Sequence, residues 1–429
     1  MTGTIAAVVF ITLIISLVLT VPIGFSLGIA SLGYILYTGQ LTPGFIAQNM
    51  VTGCDSFPTM AIPFFIFAGE LMGGGGISKR LLNLASVFFG RIQGGLAIVT
   101  VVVCMFFAAI SGSGPATVAA VGGMVVPTML EKGYDKKFVL ALIAAAGSIG
   151  VIIPPSIPMV IYAVTTNSSV SSLFLAGFVP GILIGLVLIA YSYFYAKKMG
   201  YKGDDEPFSW GRALHELKEG FWAILSPVII LGGIYGGIFT PTEAAAVSVV
   251  YALIIGLFVH RDITFKELPG AFVDASVSTA TIMVMVGLSK ASSYVVVTSG
   301  LPQLLMDLFT AITDNKFVIL LLLNLLFLII GMLMEANAAI IMMTPILTPL
   351  LTAFNISPLA FGIVMSFNLC IGLVTPPVGL CLLLCNQIGE TSLGKALKAM
   401  LPMLLISIIV LLIITYIEPL TTFLPSLLN

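Results

Sequence analysis

The chain has 429 residues, of which 59% are hydrophobic and 8% charged, and its mean hydropathy is +1.17. An average soluble chain is about 25% charged and about 45–50% apolar, so the solvent for most of this sequence is lipid. With 17 Lys and Arg against 18 Asp and Glu the net charge is −1, which offers nothing to nucleic acid and excludes partners recognised by bulk charge.

The five cysteines, Cys54, Cys104, Cys370, Cys381 and Cys385, form no CxxC pair, and His215 and His260 stand beside charged residues at segment ends. A transition-metal site or a disulfide framework is therefore not expected. Cys381 and Cys385, four apart on a predicted helix, read as buried small apolar residues.

In chain order, the apolar run from Ile5 to Val21 lacks a basic n-region and continues through Pro22 without a cleavage signal. It predicts a retained membrane helix. Asp55 and Glu70 are expected at the membrane interface. Gly95–Ile110 and Ala116–Leu130 are both shorter than the about 20 residues a spanning helix needs. They flank Ser111-Gly112-Ser113-Gly114-Pro115, and charge lies beyond both outer ends, at Arg91 and Lys132. The pattern predicts a re-entrant helical hairpin over 95–130 whose tip reaches mid-membrane. After the basic loop 131–137, Phe138 to Ala196 contains no charged residue. Within it, Gly147 to Ser156 carries Gly150 and Pro154-Pro155; proline lacks an N–H and biases its predecessor away from α, so the helix over 138–166 should be broken at mid-depth. The polar stretch 197–219 is too short for a domain and predicts a cytoplasmic linker with an in-plane helix near Trp210–Leu217.

Beyond the linker, Thr240-Pro241-Thr242-Glu243 opens a helix, and Lys290 reads as an ion-pair partner in the scaffold. A second hairpin is predicted over 317–351 with the tip Met334-Glu335-Ala336-Asn337-Ala338, and a second broken helix over 358–386 at Gly372-Leu373-Val374-Thr375-Pro376-Pro377. An offset of 222 residues (372 − 150) places Gly150 on Gly372 and Pro154-Pro155 on Pro376-Pro377; an offset of 219 (240 − 21) places Val21-Pro22 on Thr240-Pro241. The chain is expected to be two repeats, 1–196 and 220–429. Loop 131–137 is basic while its counterpart 352–358 has no Lys or Arg, and one loop later the pattern reverses, with Asn167-Ser168-Ser169 uncharged opposite Lys395 and Lys398. By the positive-inside rule the repeats are inverted and both termini periplasmic. The expected fold is an all-α polytopic membrane protein with re-entrant hairpins and mid-membrane broken helices.

Unwound backbone is tolerated at membrane depth only where it is buried in protein or lines a cavity. Freed carbonyls suit a hard cation and half-helix N-termini suit a carboxylate. The cation candidates are Ser111, Gly112, Ser113, Ser148, Gly150 and Val151 in the first half, and Glu335, Asn337, Gly372 and Thr375 in the second. For an organic anion they are Pro154, Pro155, Ser156, Pro376, Pro377 and Glu243. An intramembrane serine protease built on Ser111 or Ser113 would need a general base, and neither histidine lies at membrane depth. No enzyme activity is expected. A channel fits paired broken helices less well than alternating access does, and an ATP-driven permease would be fully helical at mid-depth.

Four motifs carry a resemblance: Ser111-Gly-Ser-Gly-Pro-Ala-Thr117, Gly150-Val-Ile-Ile-Pro-Pro-Ser156, Thr240-Pro-Thr-Glu-Ala-Ala245 and Gly372-Leu-Val-Thr-Pro-Pro-Val-Gly379. With them the chain resembles, over its whole length, the large membrane subunit of the tripartite ATP-independent periplasmic (TRAP) transporters. The resemblance implies an elevator mechanism in the bacterial inner membrane, Na⁺ as coupling ion with no other cofactor, a small four-helix membrane subunit as partner, and a periplasmic binding protein that delivers an organic acid. Overall similarity is to the sialic-acid type, with the dicarboxylate branch left open.

Overall fold

Prolines and small polar caps punctuate this chain more sharply than hydropathy does. The computed structural model describes residues 2–74, 76–203 and 208–428, and among them the regular structure is all helical. The first half contains α1 (Thr2–Val18), α2 (Ile23–Thr38), α3 (Gly44–Cys54), α4 (Ala61–Gly74), α5 (Ile77–Phe89), α6 (Gly95–Ser111), α7 (Gly114–Glu131), α8 (Lys136–Ser148), α9 (Ile157–Thr166) and α10 (Val170–Met199). The second contains α11 (Trp210–Tyr235), α12 (Pro241–Ile254), α13 (Leu268–Thr298), α14 (Leu301–Ile312), α15 (Lys316–Leu333), α16 (Ala336–Ala353), α17 (Pro358–Gly372), α18 (Leu380–Ile388), α19 (Leu393–Tyr416) and α20 (Pro419–Leu428). Many starts are capped by a side chain that accepts an orphan N–H: Ser113 for α7, Asp135 for α8, Ser169 for α10, Asn315 for α15, Glu335 for α16 and Ser357 for α17.

Seven helices among the described residues are long and apolar enough to cross a membrane, and α3 with α4, bent by 69° after Cys54, would make an eighth. The sequence signal for that bend is Asp55 followed by Pro58. Two expectations change in detail. The stretch Trp210–Leu217 is no separate in-plane helix but the opening of α11, which runs on to Tyr235 and takes Pro227 into its interior. Residues 204–207 of the expected linker lie outside the described residues. Both arms of the second hairpin, α15 and α16, have 18 residues and meet the length and hydropathy of a span, whereas α6 is shorter, with 17.

The halves interleave. The arm α7 packs on α18, and its counterpart α16 packs on α9; α6 and α15 pack on α8 and α17. Cys370 Sγ donates to the carbonyl of Ser148 at 3.1 Å, and these two residues are separated by the repeat offset itself. This contact joins α8 of the first half directly to α17 of the second.

Lipid supplies little hydrophobic drive between helices, so close packing and hydrogen bonds must hold them. At the α15–α17 crossing a Cβ added to Gly372 would lie 2.4 Å from the Gly331 carbonyl, so only glycine permits this approach. Beside it, Asn368 Nδ2 donates to Asn324 Oδ1 (2.8 Å) and Asn324 Nδ2 to Thr415 Oγ1 (3.0 Å), which ties α15, α17 and α19 in a buried network.

Candidate functional site

The tip of the first hairpin is a glycine turn. Gly112 takes φ 61°, ends α6, and donates its N–H to the Ala108 carbonyl at 2.9 Å. Its carbonyl accepts the Ile157 N–H at 3.2 Å, and a Cβ there would meet the Pro155 carbonyl at 2.6 Å. Ser111 Oγ lies 3.0 Å from Thr117 Oγ1, which donates to the Ser113 carbonyl at 2.8 Å. Gly150 lies directly beneath this turn, with room for no Cβ against the Ser113 carbonyl. The tip therefore rests on the irregular segment 149–156, where α8 ends in a short 3₁₀ turn. The Ser156 hydroxyl closes that segment by donating to the Val151 carbonyl at 2.6 Å.

The second tip is built differently. Glu335 Oε2 accepts the Ala338 N–H (3.2 Å) and Oε1 accepts Asn337 Nδ2 (2.7 Å), so the carboxylate caps α16. Asn337 Oδ1 is buried and has no hydrogen-bond partner. Val378 N–H donates to the Met332 carbonyl at 3.1 Å, docking this tip on the segment 373–379. Thr375 Oγ1 donates to the Ile371 carbonyl at 2.7 Å.

Both tips face one cavity of about 170 Å³. It brings together Ser111, Gly112, Ser113, Val151, Glu335 and Asn337 of the sequence candidates. Ser148, Gly150, Gly372 and Thr375 lie behind that lining: Ser148 donates to the Ala145 carbonyl, and the two glycines hold the tips by backbone contact. Pro154, Pro155, Ser156, Pro376 and Pro377 also lie outside the lining, and both proline pairs are cis. Glu243 is elsewhere and exposed. It forms a capping box with Thr240, accepting the Thr240 N–H and hydroxyl, each at 2.8 Å. The lining also includes residues not expected from sequence: Gly69 and Glu70 from α4 and Ser278 from α13. An acidic residue inside an apolar run was the available signal for Glu70; for Ser278 there was none.

Two glutamates, several hydroxyls and an orphaned amide oxygen between two helix breaks make a cavity that can desolvate a hard cation with oxygen ligands. Fold and site together define a multi-pass membrane permease rather than an enzyme.

Residues 10–420 match the family described as "Tripartite ATP-independent periplasmic transporter, DctM component". The chain is 47% identical over 95% of its length to the isethionate TRAP transporter permease protein DctMQ of Oleidesulfovibrio alaskensis, of which it spans 64%. It is 38% identical to the C4-dicarboxylate TRAP large permease DctM of Vibrio cholerae, covering 98% of each chain, and 38% identical to the sialic acid TRAP large permease SiaM of the same organism, covering 95% of each. A crystal structure of the Alcanivorax borkumensis YdaH transporter shares the fold with a TM-score of 0.61 at 16% identity, over 89% of this chain and 86% of that one. The chain belongs to the DctM family of TRAP transporter permeases.

Proposed function

We propose that the chain is the large permease subunit of a Na⁺-coupled importer of a small organic anion, working in the bacterial inner membrane with a small membrane subunit and a periplasmic binding protein. Its halves, 1–196 and 220–429, are inverted, both termini face the periplasm, and the two hairpins dip in from opposite sides. The hairpins and broken helices move as a unit against α1–α4 and α11–α13. One observation carries this: two symmetry-related tips converge on a single cavity where Glu335 and the unpartnered Asn337 Oδ1 stand opposite Ser111 and Ser113. In this reading Na⁺ binds at Ser111, Ser113, Glu335 and Asn337, with Gly112 and Val151 as backbone neighbours. Ser148, Gly150, Gly372 and Thr375 shape the tips that hold it.

For the substrate, identity favours the isethionate-named relative, at 47%, over the sialic-acid and dicarboxylate relatives, both at 38%. The sequence expectation of sialic acid rested on overall similarity alone, and that measure now leans towards a small sulfonate. The decisive assay is uptake of isethionate, succinate and N-acetylneuraminate into proteoliposomes holding this chain and its small membrane subunit under an inward Na⁺ gradient, with and without the binding protein. Uptake of isethionate that needs both supports the proposal. Uptake of either other anion keeps the mechanism and changes the substrate, and uptake indifferent to Na⁺ overturns the coupling. Glu335→Gln should raise the Na⁺ concentration for half-maximal uptake.

A further inference from the structure

The cavity between the tips is acidic; a second, larger one has the opposite character. This crevice, of about 710 Å³, lies between α3 with the turn that follows it, the end of α9 and α13. Its size falls within the about 300–1,000 Å³ typical of ligand pockets. Lys290 is its one charged lining residue among the described residues, and the rest of its polar lining is neutral, including Asn49, Ser56, Asn167, Ser168 and Ser293.

Lys290 stands eight residues (298 − 290) before the end of α13, about 12 Å inside a helix apolar enough to span the membrane. A cation at such depth is costly, and it ordinarily faces water and a specific partner. The sequence predicted an ion pair, but among the described residues no carboxylate lies within salt-bridge distance of it. Its Nζ donates to the Thr52 carbonyl in the last turn of α3 at 3.1 Å, which uses one of the three N–H donors of an ammonium. Among the described residues this exposed charge has no counter-ion, and the polar part of the crevice lining is hydroxyls and amides, set among apolar residues such as Val164, Val286 and Val297.

We propose that this crevice is an anion-docking site. The Lys290 ammonium and its neutral neighbours receive the carboxylate or sulfonate of the organic anion on its way across the membrane. The proposal rests on the transport function argued above, which supplies the organic anion. The walls of the crevice come from both parts of that mechanism: Asn167 and Ser168 follow α9, a mobile element there, while Lys290 and Ser293 belong to the fixed α13. Motion of one part against the other would open or disperse the site.

Helix capping is the competing role for Lys290, since a basic side chain near a helix C-terminus satisfies free carbonyls. Lys290→Gln keeps an N–H donor for Thr52 and removes the charge, while Lys290→Arg keeps both. Uptake is measured in the same proteoliposomes with whichever of isethionate, succinate and N-acetylneuraminate the wild type takes up. Loss of a charge-assisted hydrogen bond predicts a KM raised about 10- to 100-fold in Lys290→Gln, with kcat and thermal stability little changed and Lys290→Arg near wild type. An unchanged KM in Lys290→Gln, or equal losses of kcat and stability in both variants, overturns the proposal. A second readout needs no transport: acylation of Lys290 by an amine-reactive ester in the detergent-solubilised complex, followed by mass spectrometry with each of the three anions present in turn. Protection of Lys290 but not of Lys136 supports the site even if uptake fails, in which case the transport function and not the crevice is refuted. Absence of protection by an anion that is taken up counts against the crevice.

Discussion

Replacing Gly372 by alanine tests whether backbone contact between α15 and α17 holds the second tip in place. The added Cβ would lie 2.4 Å from both the carbonyl carbon and oxygen of Gly331 and 2.5 Å from its Cα, where ordinary contact begins at 3.4 Å. The shortfall is 1.0 Å (3.4 − 2.4), and it falls on backbone, which no rotamer change relieves. The helices must part by roughly that distance, forfeiting dispersion along the crossing, so the expected loss is about 3 kcal/mol, the upper end of overpacking costs. Gly331→Ala is graded below it, because its Cβ would approach the Gly372 Cα to 3.1 Å and a few tenths of an ångström suffice; about 1 kcal/mol is expected. Gly123→Ala, with nothing within 4 Å, should be neutral or stabilising by up to about 1 kcal/mol from helix propensity. Apparent melting temperatures of the detergent-solubilised variants should rise in that order, with Gly372→Ala lowest. A Gly372→Ala protein as stable as Gly123→Ala would refute the role given to this contact.

Asn324→Leu leaves the buried Asn368 amide and Thr415 hydroxyl without their partner and should cost about 1–3 kcal/mol, read as a lower melting temperature. His260 is nearly buried, and both its ring nitrogens lack hydrogen-bond partners. Burial, aided by the nearby Arg80 guanidinium, pushes its pKa below the usual histidine value. The folded state therefore binds fewer protons than the unfolded one, so this stabilisation is complete above about pH 6.5 and is lost as pH falls through the depressed value. Melting curves should show that acid-side loss in the wild type and a flatter profile in His260→Gln. Because Glu243 serves the capping box of α12, Glu243→Gln should leave the half-saturation for Na⁺ and for the transported anion unchanged; a weakened substrate affinity would return this residue to the binding site.

The membrane class, the paired hairpins and the paired helix breaks were legible in the sequence because each rests on local chemistry. Charge is excluded from lipid, and Ser111-Gly-Ser-Gly-Pro and Gly372-Leu-Val-Thr-Pro-Pro cannot continue a helix whatever surrounds them. The offset of 222 residues was equally local, since it compares residues without needing to know what they touch. Partnership was not local. Sequence placed Glu70 at an interface, but the packing of α4 against the first tip brings it into the cavity. It paired Lys290 with an acid, but the crossing of α3 and α13 gives it a carbonyl and an open crevice. It offered Glu243 to a substrate, while the turn at Thr240 folds that carboxylate back on its own helix. By itself, then, the sequence determined the breaks at 111–115, 147–156 and 372–377 and that most helices meet lipid, because each depends on residues a few positions apart; the run of α11 on to Tyr235 and the bend after Cys54 it did not. Which oxygens and cations share a cavity depends on how α4, α13 and the two tips cross, and that was decided only by the tertiary packing of segments hundreds of residues apart.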